Sequence, residues 1–224
     1  MYRGLFDEKH FLLKVKDGDI DNPTTKPNGE HEANILCSDC EKRIGKFEDY
    51  ARRIIYGGRL YKSESDVQFQ SRKNQHGIEY IYCKGVDYNR FKLFLLSILW
   101  RSSISNLDFF KEVSLGKYQE IVRQMILEGD PGAQLDFPCV MLSYAKQKEK
   151  IPIDLICSPV KAQNQFGKGY SFLIGGINYF FHVSKSFIPD WVVEFAINEK
   201  NELQIIHMPN DITVDMIKRH LGFR

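Results

Sequence analysis

The sequence predicts an α+β protein with a helix-rich N-terminal half and a strand-rich, antiparallel C-terminal half. Apolar residues recur at helical spacing in three segments that precede residue 133. Beyond that point the apolar runs become short and are separated by Gly, Pro, Asn or Asp, which is typical of strands. We therefore divide the chain into 1–132 and 133–224, as two regions or as parts of one continuous domain.

The composition predicts a globular protein of the cytoplasm. Of the 224 residues, 43% are hydrophobic and 27% are charged, which is enough apolar material for a sizeable core. The net charge of +2 is too small for bulk attraction to nucleic acid, so such binding needs a local patch. The odd number of cysteines, 5, and the acidic start of the chain predict a reducing compartment and no signal peptide. The longest apolar run, 91–100, is far shorter than the ~20 residues of a membrane helix, which predicts no membrane partner.

Helical periodicity predicts three helices in the first half, the first of which follows a Cys-x-x-Cys motif and ends at Gly57-Gly58. The second is apolar on almost every side, as in a helix buried at the centre of a protein. Strands and one long polar loop fill the other positions. The predicted ranges are strands 5–15, 60–70 and 78–84, the loop 17–33, and helices 39–56, 88–103 and 115–127.

The second half is predicted to hold six strands and a final short helix. Gly175-Gly176 lies between two apolar runs and predicts a tight hairpin turn. No Walker sequence, dinucleotide fingerprint or nucleophile elbow is present in the sequence. The predicted ranges are strands 137–144, 151–157, 171–175, 178–183, 192–197 and 203–207, and helix 212–221.

Cys37 and Cys40 form the motif with the most specific chemistry. Two thiolates spaced by two residues at the start of a helix provide half of a tetrahedral zinc site. Zinc is therefore the predicted cofactor, and His31 and His10 are the candidates for added ligands, with Cys83 a further local candidate. Two alternatives remain open, namely a structural pair of half-buried cysteines and a redox pair.

Arg101, near the end of the central helix, needs a carboxylate partner, which Glu41 or Glu48 would supply.

The predicted helix 39–56 carries a basic exposed side. Because acids are interleaved with the cations of this side, a solvated face with intrahelical ion pairs is favoured over a phosphate-binding face. The candidates for contacting a nucleic-acid backbone are Lys42, Arg43, Lys46, Arg52 and Arg53.

The segment 35–50, ILCSDCEKRIGKFEDY, resembles the second half of an HNH-type, treble-clef zinc module. It is similar to a group of uncharacterised bacterial and phage-associated proteins that carry the motif Leu-Cys-x-x-Cys-Glu. Residues 1–3 and 96–101 also resemble that group, so the resemblance extends to about residue 130. It implies a treble-clef-like fold around the Cys-x-x-Cys helix, zinc as cofactor, DNA as partner and metal-dependent nuclease chemistry.

Two parts of the family pattern have no counterpart in this sequence. The first Cys pair of the family is missing, and so is its Ser-His-Ile-Ile-Pro run with the general-base histidine. Either the chain begins at an internal methionine or the catalytic half has been lost. The resemblance thus implies a DNA-acting protein of HNH-like ancestry, degenerate or truncated in catalysis, of phage, mobile-element or defence type. The remaining candidates for catalytic side chains are Glu41, Glu48 and His31.

A second hypothesis is a non-catalytic interaction module, such as an inhibitor or a partner subunit. The strand-rich half would supply its contact surface, because aromatic residues crowd one part of it. A protein is then the predicted partner in place of DNA. A small-molecule enzyme is a third option that no motif supports. The crowded aromatic residues are Tyr179, Phe180, Phe181, Phe187 and Trp191.

Overall fold

Ten β-strands and four α-helices are present in the described part of the computed structural model. The strands all belong to one mixed sheet. The predicted helix 212–221 lies outside the described residues. The structure describes residues 12–16, 22–27, 30, 32–57, 66–147, 151–164, 167–183 and 187–209.

The elements follow one another in an order that mixes strands and helices throughout the chain. The helices are α1 (Ser38–Tyr56), α2 (Tyr88–Ile104), α3 (Gln119–Glu128) and α4 (Asp190–Phe195). The strands are β1 (Leu12–Val15), β2 (Thr24–Lys26), β3 (Gln68–Lys73), β4 (Glu79–Lys84), β5 (Cys139–Ser143), β6 (Leu155–Cys157), β7 (Val160–Asn164), β8 (Gly167–Ile174), β9 (Ile177–His182) and β10 (Glu202–His207).

The sheet draws its strands from both halves of the chain. Its order is β2-β1-β6-β8-β9-β5-β10-β4-β3, and β7 pairs with β8 beside this path. The pairs β1–β6 and β5–β10 are parallel, and the other neighbours are antiparallel. Both ends of the sheet are therefore formed by the early strands β1 to β4.

The predicted fold class is wrong. A helix-rich N-terminal half does not stand apart from a strand-rich one, because β1 to β4 are integral to the common sheet, and this sheet is mixed and not antiparallel. The treble-clef-like organisation is also not found: within the described ranges no group of three or more His, Cys, Asp or Glu side chains could hold a metal ion. Local periodicity could not reveal these pairings, since β1 joins β6 across most of the chain.

Alternate residues of the central strands face two different cores. In β5, Cys139 and Met141 pack into the core shared with α1, α2 and α3. Val140 and Leu142 occupy the alternate positions of β5, and they pack into the core that contains Val192 of α4. Because both faces are covered, this strand reads as a continuous apolar run.

The position of α2 explains its apolar composition. Residues 91–100 are all buried, since the sheet, α1 and α3 pack around the helix. Asp87 caps it by accepting the backbone N–H of Arg90 at 2.9 Å. In the part of the chain that the structure describes, no helix has the length and apolarity needed to cross a membrane.

Several local predictions need correction, and one turn is confirmed. The predicted strand 192–197 is largely the helix α4, in which Val192 and Phe195 are buried three residues apart. The loop 17–33 contains β2, and β7 was missed because its sequence, VKAQN, has little apolar alternation. Most of the predicted strand 60–70 lies outside the described residues. The β8–β9 turn at Gly175-Gly176 is confirmed, with φ of 62° and 72°.

Candidate functional site

Cys37 occupies the N-cap position of α1. Its backbone is extended, with φ −75° and ψ 160°, and its sulfur accepts a hydrogen bond from the backbone N–H of Cys40 at 3.4 Å. The thiol thus fills the role that Ser, Thr, Asp or Asn usually has at this position. Cys37 is exposed, whereas Cys40, one turn into the helix, is half-buried. The motif therefore presents one thiol to solvent and shields the other.

The pKa values of the two thiols are shifted in opposite directions. Hydrogen bonds from the backbone N–H and then from the thiol of Cys40 lower the pKa of Cys37. The same thiol contact, together with burial, raises the pKa of Cys40, against the positive charge of Arg43. Arg123 of α3 lies close enough for its charge to interact with Cys40 as well. The thiolate form is thus favoured at Cys37 and disfavoured at Cys40.

Glu32 holds the segment before Cys37 in place. Its carboxylate accepts hydrogen bonds from the hydroxyl of Ser105 at 2.6 Å and from the backbone N–H of Asn106 at 3.0 Å. These bonds lower the pKa of Glu32, the one to Ser105 most strongly. Because Ser105 and Asn106 follow α2 directly, the approach to the Cys pair is fixed relative to the central helix.

The residues present fit half of a zinc site. Cys37 and Cys40 place two sulfur ligands together, as one edge of a tetrahedron requires. Over the described ranges, no third His, Cys, Asp or Glu is grouped with them. His31 and His10, the predicted added ligands, lie outside the described residues. Cys83 belongs to the main core and is completely buried.

The five predicted phosphate-binding cations fall into two groups. Arg52 and Arg53 both bind Asp49, at 3.2 Å in the case of Arg52, and Arg53 is only 7% exposed. For these two the alternative of intrahelical pairs is confirmed. The other three are exposed and make no ion pair with any residue that the structure describes. They are Lys42, Arg43 and Lys46.

Glu48, a candidate catalytic carboxylate, binds the guanidinium of Arg101, as the sequence predicted for one of the two acids. Their side chains are 15% and 26% exposed. Burial by itself would raise the pKa of Glu48, but the charge and the hydrogen bond of Arg101 are among the opposing contributions that together outweigh burial and lower the pKa. A carboxylate held ionised in this way is suited to joining α1 to α2. Glu41 is exposed in the first turn of α1, and His31 lies outside the described residues.

The crowded aromatic residues are mostly core. Tyr179, Phe180 and Phe181 are 1%, 5% and 0% exposed. Trp191 is half-buried and packs on Phe180 with 5.7 Å between ring centroids. Phe187 differs from them, because 69% of its surface is exposed. It is the aromatic residue of this group that is available for contact with another molecule.

A cleft of about 210 Å³ lies between the segment 114–118 and the strands β7 and β8. The hydroxyl of Tyr170 at its wall accepts the backbone N–H of Ser114 at 3.1 Å and donates to the carbonyl oxygen of Ser114. Lys161, also in the wall, lies 3.9 Å from the carboxylate of Glu112. Tyr170 and Lys161 thus already interact with other groups of the protein.

The fold and the site together define an α+β protein with one exposed and one half-buried thiol at the N-terminus of a helix, bordered by exposed cations. No protein-family model, no curated protein and no solved structure matches this chain.

Proposed function

We propose that this protein binds nucleic acid through the first half of α1 and that it is of HNH-like ancestry, degenerate or truncated in its catalytic half. The observation that carries the proposal is the exposure of Lys42, Arg43 and Lys46, which make no ion pair within the described part of the chain. Residues three and four apart lie on the same side of a helix, so the three charges can contact one phosphate backbone.

The position of these cations favours phosphate binding that has modest affinity and does not depend on base sequence. The N-terminus of a helix carries a partial positive charge and free backbone N–H groups, which attract anions. Asp39 and Glu41 in the first turn reduce that attraction. Because backbone contacts carry no sequence information, we expect binding that depends strongly on salt and little on base sequence.

Cys37 and Cys40 would hold a zinc ion next to these cations, with His31 and His10 as candidates for the two further ligands. A structural zinc ion supplies a crosslink, which would fix the chain that enters α1. Metal analysis of the full chain tests this part of the proposal. We expect one zinc per chain, lost in C37S/C40S, and a metal-free wild-type protein would contradict it.

Fluorescence anisotropy with labelled duplex and single-stranded DNA, over a series of KCl concentrations, tests the binding surface. We expect K42A/R43A/K46A to bind at least tenfold more weakly at low salt and to reduce the slope of log K against log salt by about 2 to 3. The matched control is K73A/K84A/K200A, which removes the same charge from three exposed lysines of β3, β4 and the turn before β10. The proposal would be refuted if the two variants had the same affinity and the same salt slope, or if the wild type showed no salt-dependent binding.

Incubation of plasmid DNA with the protein and Mg²⁺ or Mn²⁺ tests the loss of catalysis. We expect binding without cleavage, because Glu48 is committed to Arg101 and the sequence lacks the Ser-His run that would supply a general base. Cleavage by the wild type that disappears in E41Q would show that a catalytic centre persists at the exposed Glu41.

A protein-interaction module is the second candidate function, and the exposure of Phe187 favours it. Half-buried Trp191 and exposed Val193, on the neighbouring helix α4, extend the apolar surface. A partner that co-purifies with the wild type and not with F187D would support this function. The control is I121D, which alters an apolar residue of α3 that is 46% exposed. Equal capture by both variants would exclude the surface around Phe187.

A further inference from the structure

The strand β3 forms one end of the sheet, and in the described part of the chain no strand pairs with its outer side. All 6 of its residues are exposed. We propose that β3 binds an extended, acidic segment of a partner protein, which joins the sheet as a further antiparallel strand. This surface is separate from the first half of α1 and from the surface around Phe187, so the proposal does not depend on the functions assigned to them.

The outer side of β3 offers backbone groups that are placed to bond a further strand. The backbone N–H of Asn74 donates to the carbonyl oxygen of Ile78, which makes these two a hydrogen-bonded pair of the β3–β4 hairpin. Hydrogen-bonded and non-hydrogen-bonded pairs alternate along an antiparallel ladder, so every second residue counted back from Asn74 bonds β4. The residues between them direct their N–H and C=O groups outwards. They are Phe69, Ser71 and Lys73.

The edge lacks most of the features that keep a further strand from pairing. Proteins commonly protect a free edge with bulges, prolines, very short strands or charged side chains. The register of β3 with β4 is unbroken from Gln68 to Lys73, and the sequence QFQSRK contains no proline. A strand of 6 residues is also of ordinary length. Charged side chains are therefore the one device left, and they select the strand that can pair.

The charged side chains of β3, Arg72 and Lys73, are both positive. Arg72 is held in place, because its guanidinium donates to the side-chain oxygen of Gln70 at 2.8 Å and stacks on the ring of Tyr82, 3.6 Å from the centroid. Pairing of β3 with a second copy of itself would bring the cations of both copies to one junction, without an acid from either strand. The charges therefore disfavour self-association and favour an acidic strand.

The acids near β3 do not cancel this charge. The sequences of β3 and β4 together hold three cations and one acid, Glu79. Glu79 stands opposite Lys73 on β4, but it already binds the ammonium group of Lys146. Asp66, two residues before β3, offsets one further charge. The edge formed by β3 and β4 thus retains a positive charge for a partner to neutralise.

The two faces of β3 define the side chains that a partner strand needs. Phe69 stands opposite Cys83, so both lie on one face of the sheet, and 50% of the Phe69 surface is exposed. Arg72 belongs to the other face, because successive residues of a strand alternate. A strand with apolar residues opposite Phe69 and acids on the face of Arg72 would contact both. We therefore expect acidic and apolar residues to alternate in the partner segment.

Fluorescence anisotropy with labelled peptides of about eight residues tests the proposal. One peptide alternates glutamate with valine, and its counterpart alternates lysine with valine. We expect the wild type to bind the acidic peptide at least about tenfold more tightly than the basic one at low salt. R72E/K73E should lose this preference. The matched control is K117E/K161E, which reverses two exposed lysines of the segment 114–118 and of β7 and should keep the preference.

N-methylated peptides distinguish strand addition from general charge attraction. In the antiparallel arrangement the valines lie opposite Phe69 and Ser71, where their backbone N–H groups meet the outward carbonyl oxygens. Methylation of the valine nitrogens should weaken binding about tenfold, whereas methylation of the glutamate nitrogens should change it less than about twofold.

S71P is the corresponding change in the protein, because it removes an N–H that β4 does not use, and proline is tolerated at such edge positions. It should weaken binding of the acidic peptide about fivefold. Circular dichroism and thermal unfolding check its folding, and the methylated peptides test the wild type independently of this variant.

Four results would overturn the proposal. The first is a wild type that does not bind the acidic peptide, and the second is equal binding of the two methylated peptides. A wild-type dimer that S71P converts to a monomer in sedimentation would assign the edge to a second copy of the chain. The fourth is loss of duplex DNA binding in R72E/K73E with normal binding by K42A/R43A/K46A, which would assign the edge to nucleic acid. Because peptide and DNA are titrated separately, failure of this proposal is distinguishable from failure of nucleic-acid binding by α1.

Discussion

The ammonium nitrogen of Lys92 lies 3.2 Å from the carbonyl oxygen of Gln134, although Lys92 belongs to the buried helix α2 and is only 2% exposed. The same nitrogen donates to the carbonyl oxygen of Ala133 and to the hydroxyl of Tyr88, at 3.2 Å from the latter. A lysine charge thus holds the loop after α3 against α2. Buried charges are tolerated when carbonyl groups replace their lost hydration in this way.

Replacement of Lys92 by Met should change how stability depends on pH. Burial lowers the pKa of Lys92 from 10.5 to about 8. Below pH 8 the side chain is charged in both states and the folded state bears a cost of roughly 3 kcal/mol. Between pH 8 and 10.5 only the unfolded state binds the proton, so this cost shrinks as the pH rises. K92M lacks this titration.

Urea unfolding of the wild type and K92M at several pH values measures this effect. We expect the free energy of unfolding of the wild type to gain about 2 kcal/mol relative to K92M between pH 7.5 and 9.5. Comparing two variants removes most of the contribution from cysteines and tyrosines that titrate in the same range. K84M, which replaces an exposed lysine of β4, serves as the control and should show no such trend. A flat difference for K92M would mean that Lys92 keeps its charge at high pH.

The ion pair between Glu48 and Arg101 should couple α1 to α2 energetically. In a double-mutant cycle of E48Q and R101M, we expect a coupling energy of about 1 to 3 kcal/mol at neutral pH. Because the pKa of Glu48 is lowered from 4.5, the stabilisation is present above that pH and is lost as the pH falls through the folded-state pKa.

The exposed pair of Glu120 and Arg123 provides the comparison for this cycle. Its side chains are 61% and 41% exposed, against 15% and 26% for Glu48 and Arg101. Water screens such a pair, so the coupling energy from E120Q and R123M should be clearly smaller than that from E48Q and R101M. Equal coupling in the two cycles would mean that burial adds nothing to the pair between α1 and α2.

Cys37 should stabilise α1 as its N-cap even when no metal is bound. Substitution by Ala removes the acceptor of the Cys40 N–H, and we expect a loss of about 1 kcal/mol in unfolding free energy in EDTA. C37S keeps an acceptor and should equal or exceed the wild type in stability. A C37A protein as stable as C37S would show that the sulfur contact has no capping value.

The sequence predicted those features of the fold that depend on neighbours along the chain. Helix α1 was expected over 39–56 and spans Ser38–Tyr56, because its apolar spacing and the glycine at its end are local signals. The parallel pairing of β1 with β6 has no local signal, since register is set by distant partners and by burial. The short helix α4 was mistaken for a strand because a short, largely apolar segment fits either structure.

The residues of the candidate site could be predicted from the sequence, but most of their contacts could not. Both cysteines and the exposed cations could be read from the sequence, since the helix places them by simple periodicity. The ion pair between Arg53 and Asp49 depends on the burial of Arg53, and helical periodicity predicts the burial of a residue only approximately. Lys92 was not singled out, because its partners are backbone carbonyl groups of a loop that lies about 40 residues further along the chain.

Two glycines should respond to alanine substitution with opposite signs, although neither position is crowded. A Cβ atom at Gly45 or at Gly176 would meet nothing within 4 Å. Gly45 lies inside α1, where Ala is favoured over Gly, so G45A should raise the unfolding free energy by about 0.5 to 1 kcal/mol. Gly176 has a φ of 72° in the β8–β9 turn, where an L-residue is strained, so G176A should lose about 1 to 2 kcal/mol.

Thermal unfolding measures the difference, with about 2 to 4 °C expected for each kcal/mol in a chain of this size. G169A provides a third comparison, because a Cβ atom there would approach the carbonyl oxygen of Phe181 to 1.7 Å. That contact would force β8 away from β9, and we expect a larger loss than for G176A. If G45A and G176A shift the melting temperature in the same direction, backbone conformation does not govern these positions, and the tight turn between β8 and β9 would need another explanation.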